Sequence, residues 1–143
     1  MITALYASIL ALLLVWLAFQ VIKQRRLNKV AYADGGVEAL QIARSAQSNA
    51  SEYIPITLIL MALLEFNGAA PIWIHLTGII FVIGRIIHAR GILQESFKGR
   101  VKGMQLTFLV IVSLVVLNMF YFPYGKIVVS LISSYSANLF ANC

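Results

Sequence analysis

Charged and apolar positions alternate in long blocks along the chain, and the block lengths set the architecture. Met1 to Ile22 carries no charge over 22 residues. Tyr53 to Leu64 is clean for 12, Phe66 to Gly84 for 19 and Gly103 to Gly125 for 23. At about 1.5 Å per helical residue, about 20 residues cross a hydrocarbon layer about 30 Å thick. Three blocks therefore span on their own. The short one ends at Glu65 and the turn signal Asn67-Gly68, with Pro71 beyond. Extended back to Gln47 it reaches full length, which brings Asn49 and Glu52 to its edge. A re-entrant segment is the alternative. A full span is favoured because only an even number of crossings puts both long basic segments on one side.

The pattern predicts an all-α integral membrane protein: one domain over 1–143, an antiparallel four-helix bundle with spans near 2–22, 47–66, 68–88 and 104–123. The uncharged tail 127–143 has six Ser or Asn among its 17 residues and reads as a short amphipathic or frayed end. Asp34-Gly35-Gly36 is the one turn-rich linker.

Composition agrees. Apolar types make up 61% of the 143 residues, which excludes a disordered chain and an ordinary soluble globule. The single cysteine, Cys143, has no partner within the chain for a disulfide. The net charge of +6 resembles a nucleic-acid signal until the charges are located. Ten of the eleven basic residues lie between spans one and two or at the end of span three and just after it; only Lys126 lies opposite. The positive-inside rule then places both basic loops in the cytoplasm and both termini outside. No soluble basic face remains for nucleic acid. The first span follows no basic segment and precedes one, so it reads as an anchor rather than a cleaved leader.

Candidate chemistry concentrates where the second span begins. Ser45, Asn49 and Glu52 fall on one helical face, with Gln41 a turn earlier. A carboxylate inside a span costs at least a few kcal/mol unless paired, so Glu52 asks for a cation or donors. A polar clamp between helices is the plain reading; a site for a ligand ammonium is the sharper one. In the third span Arg85 and His88 are three apart and share a face. His75 lies about 15 Å from Arg85 along the helix and reads as an interhelical hydrogen-bond partner outside the site. Arg25, Arg26, Arg44, Arg85 and Arg100 are expected to converge with Glu52 at one bilayer depth. Such a set suits a small zwitterion with excess negative charge, of which glutathione is one. There is no CxxC, HExxH, Walker loop or strand-borne GxGxxG. Two histidines without an acidic cluster argue against a metal.

The stretch Ala46-Gln47-Ser48-Asn49-Ala50-Ser51-Glu52-Tyr53-Ile54-Pro55 resembles the second-helix signature of the membrane-associated proteins in eicosanoid and glutathione metabolism. Arg85-Ile86-Ile87-His88-Ala89-Arg90-Gly91 is similar to their third-helix signature, and Val21-Ile22 with Arg25-Arg26 to the end of their first helix. The three motifs occur in order across the four spans, and the small bacterial branch is the nearest in character. The resemblance implies a homotrimer in a bacterial inner membrane, with glutathione as co-substrate between neighbouring subunits. It implies that Arg25, Asn49, Glu52, Tyr53 and His88 contact glutathione and that Arg85 supports the site. It assigns Arg100 the catalytic role of stabilising the thiolate, with Lys98 and Lys102 as alternatives for that position. The activity implied is transferase or peroxidase chemistry on a lipophilic electrophile or hydroperoxide dissolved among membrane lipids. The chain departs from the family at Ser45, where an arginine is usual and Arg44 stands one residue earlier, and at Ile92, where a tyrosine often stands. Two other classes compete: a non-enzymatic relative binding lipid or a partner, and a small four-span transporter using Glu52.

Overall fold

The computed structural model describes residues 1–125 and Ile132. The expectation for the 127–143 tail lies outside the described residues except at Ile132. Four helices account for most of the described chain: α1 (Thr3–Asn28), α2 (Glu38–Phe66), α3 (Pro71–Leu93) and α4 (Phe97–Tyr121). All four are long and apolar enough to cross a membrane. No strand occurs among the described residues. The helices outrun the expected spans chiefly at their basic ends, where α1 continues to Asn28 and α2 begins at Glu38. Apolar blocks mark the part in lipid; a helix continues into the aqueous layer while its backbone bonds are made and no breaker intervenes.

Each end has a local cause. Lys29 closes α1 in the left-handed region (φ 53°), its N–H turned back to the carbonyls of Arg25 and Arg26. The Asp34-Gly35-Gly36 turn, with φ of 57° and 72° at its glycines, separates α1 from α2. Pro71 opens α3 at its first turn, where no N–H is needed. Ser96 caps α4 by accepting from the Gly99 N–H at 3.4 Å.

Contacts fix the up-down-up-down order. The Glu65 carboxylate at the end of α2 accepts from the Ile2 N–H, from the Thr3 N–H at 2.9 Å and from the Thr3 hydroxyl at 2.7 Å. The start of α1 is thus tied to the end of α2. Tyr6 of α1 bonds His75 Nδ1 near the start of α3 at 2.8 Å, so His75 is the interhelical partner its position implied. Asn118 of α4 donates to the Leu60 carbonyl of α2 at 2.9 Å. The core runs down the middle through Tyr6, Leu10, Leu17, Ile54, Met61, Phe81 and Leu114. The α3–α4 seam is the most extensive in the bundle. A Cβ at Gly103 would lie 2.5 Å from the His88 backbone nitrogen, so only glycine permits this approach.

Candidate functional site

The buried stripe of α2 reads Ala43, Ala46, Ala50, Ile54, Thr57, Met61 and Leu64, at the three-to-four spacing of one helical face. Asn49 flanks this stripe and is half-buried. Glu52, at about 100° per residue, lies about 160° round from Ala50 and is exposed on the outside of the bundle. Gln41, Ser45 and Ser48 share that outer face and are also exposed. Pro55 lacks an N–H, so the Ser51 carbonyl beside Glu52 loses its usual helical donor.

Behind Asn49 sits Arg85, fully buried. Its Nη2 donates to Asn49 Oδ1 at 2.7 Å and its Nη1 to Thr107 Oγ1 at 3.4 Å. The Tyr53 ring lies 5.8 Å from the guanidinium carbon, a cation–π distance, and meets Phe108 edge-on at 5.8 Å. The Thr107 hydroxyl donates in turn to the Gly103 carbonyl at 3.0 Å. Arg85 therefore joins α2, α3 and α4 at one level. His88, also buried, bonds the Arg100 carbonyl through Nδ1 at 2.8 Å. A carbonyl only accepts, so Nδ1 carries the proton. This bond pins the first turn of α4, from which the exposed Arg100 side chain projects.

Other polar groups line two open recesses at the basic end. One, of about 520 Å³, is lined by Asp34, Gln41, Arg44, Ser45 and Ser48. Arg44 meets Asp34 there at 3.9 Å. The other, of about 370 Å³, is lined by Glu38, Gln41, Ile42, Ser45, Ile92, Glu95 and Arg100, so carboxylates as well as a guanidinium face it. Ser45 lines both, and its hydroxyl donates to the Gln41 carbonyl at 2.8 Å.

The structure thus brings Asn49, Tyr53 and Arg85 together, and Ser45 with Arg100. It does not gather five arginines round Glu52. Among the described residues Glu52 accepts only from the Ser48 hydroxyl, at 3.0 Å, and forms no ion pair. Arg25 turns to the Ala31 carbonyl at 3.1 Å, and Arg26 is exposed. Within a single chain the five arginines do not converge on Glu52, for a geometric reason. Arg25, Arg26 and Arg44 stand at the loop, Arg85 points into the core, and Glu52 points out of it. Sequence reasoning also missed Thr107, whose signal was its place four residues after Gly103, and Ser48, four residues before Glu52.

Comparison with known proteins gives a consistent result. The model of the MAPEG family matches residues 3–120. The chain is 40% identical over 124 residues to the inner membrane protein YecN of Escherichia coli strain K12, a match covering 87% of this chain and 95% of that protein. YecN from an O6:H1 strain of Escherichia coli matches to the same extent.

Proposed function

Since the chain belongs to the MAPEG family, we propose that this multi-pass membrane protein is a glutathione-dependent transferase or peroxidase. It acts on a lipophilic electrophile or hydroperoxide drawn from the bilayer. One observation carries the reading. The basic-end half of α2 turns Gln41, Ser45, Ser48 and Glu52 outward from a bundle whose other outward positions are mostly apolar. A helix crossing lipid does not leave a carboxylate and a row of hydroxyls uncovered. The family's homotrimer covers such a face with a second copy of the chain and encloses a polar ligand beside it.

The chemistry follows from the residues at hand. Glu52 and the freed Ser51 carbonyl suit the glutathione ammonium. Asn49 and the arginines of the two recesses suit its carboxylates. A free thiol titrates at about 8.5, and an adjacent guanidinium favours the thiolate; Arg100, exposed in the second recess, is the residue assigned that role in this reading. In transfer the thiolate sulfur forms a bond to carbon and the leaving group departs with its electron pair. With a hydroperoxide, two glutathiones are oxidised to the disulfide while the peroxide is reduced to alcohol and water. The protein sits in the inner membrane with both basic loops in the cytoplasm, the side where glutathione is plentiful.

The test uses purified protein in lipid nanodiscs. Glutathione at 100 times its dissociation constant stabilises the native state by about 2.7 kcal/mol, so a clear rise in melting temperature is expected. Conjugation to an aryl halide is expected as well, falling at least tenfold at neutral pH in Arg100→Ala and recovering as pH rises toward the free thiol's range. A thermal shift without turnover on aryl halide or lipid hydroperoxide makes the chain a binding protein, a reading that Ile92 in the second recess favours. No shift at millimolar glutathione removes both.

A further inference from the structure

Among the described residues Arg85 is the largest fully buried side chain, and no carboxylate among them comes within ion-pair distance of it. Its Nε has no hydrogen-bond partner among the described residues. The cation's shortest contact is the neutral oxygen of Asn49, at 2.7 Å. A guanidinium has five N–H donors and no acceptor. The orientation of an asparagine amide is usually assigned from its surroundings, and here chemistry leaves one choice: Oδ1 faces Arg85. Nδ2 must then face the half-exposed side of α2, and among the described residues no protein acceptor meets it. Arg85 itself, fully buried, does not reach a ligand.

We propose that Arg85 is a positioning residue that fixes the Asn49 amide with its nitrogen outward, so that α2 offers two N–H donors, backed by a buried cation, to an anionic oxygen of the bound ligand. This rests on the glutathione reading, in which the anionic oxygen belongs to a carboxylate. It explains why a cation is buried against a neutral amide. A carboxylate at position 49 would pair with Arg85 more strongly but would present a second negative oxygen where the ligand's own must sit. An arginine at the surface would bind an anion without regard to direction, whereas a locked amide holds its donors along one line.

The inference is tested with glutathione and its diethyl ester, which keeps the ammonium and thiol but masks both carboxylates. Wild-type protein is expected to prefer glutathione. Asn49→Asp keeps the acceptor that Arg85 needs, so its melting temperature matches or exceeds wild type, while glutathione binds at least tenfold more weakly and the diester changes little. Arg85→Gln, which can donate or accept, unlocks the amide and shrinks the preference for glutathione over the diester. If both ligands weaken equally in Arg85→Gln, the arginine is only structural and the proposal falls. If Asn49→Asp binds glutathione as tightly as wild type, the glutathione reading survives and the directed amide does not. If wild type binds neither ligand, the glutathione reading fails and takes the ligand with it. A lowered melting temperature in Asn49→Asp separately overturns the contact to Arg85.

Discussion

Asn49 and Glu52 stand three residues apart, and about 60° of helical rotation separates their fates. Asn49 turns toward Arg85 and is held; Glu52 turns out and meets Ser48. The same rotation makes Thr107 matter. Its hydroxyl is the partner of Arg85 Nη1, beside an Nε that already has none. Thr107→Val strands a second buried donor and is expected to destabilise the protein by about 1 to 3 kcal/mol, read as a fall in melting temperature. Tyr6→Phe removes only the hydroxyl's contacts to His75, to Nδ1 and to the backbone carbonyl, and keeps the ring that packs over Gly78. Hydrogen bonds between membrane helices average about 0.6 kcal/mol and reach about 1.7. A loss in that range is expected, with glutathione binding unchanged because Tyr6 lies at the opposite end of the bundle.

Helices are registered against one another at two kinds of place. At the end opposite the basic loops, Glu65 accepts from the first N–H groups of α1, where the helix dipole favours a negative charge. Glu65→Ala leaves those donors without the carboxylate and is expected to cost about 2 kcal/mol. Amide exchange accelerating first in the opening turns of α1 would locate the effect. At the basic end, glycine sets the distance between α3 and α4. Gly103→Ala places a methyl against the His88 backbone, and such overpacking costs about 1 to 3 kcal/mol. The helices must part, and the His88 bond to the Arg100 carbonyl is strained. Because that bond pins the start of α4, turnover is expected to fall further than glutathione affinity does. Equal losses of both would mean that Arg100 needs no such support.

The four-helix bundle of one chain is not apolar all round. Its basic-end α2 face is polar and uncovered, and native mass spectrometry or cross-linking in nanodiscs is expected to return a trimer. A stable monomer would leave Glu52 facing lipid, and the interface reading would fall with it. The sequence foretold much of this architecture. Block lengths marked three of the four spans, and the distribution of Lys and Arg both called for the fourth and separated the basic loops from the opposite end. The motif round Asn49 and Glu52 marked the helix where the candidate site lies. It did not foretell that Arg85 would bury itself against Asn49, that Glu52 would face outward, or that the loop arginines would stay at the loop. Hydropathy determines which segments leave water, and helical geometry determines the angle between residues of one helix. Neither determines how one helix is rotated against its neighbour. That rotation comes from close packing, chiefly where glycine lets α3 meet α4 and where a single guanidinium finds acceptors on two other helices, and only the folded bundle decides it.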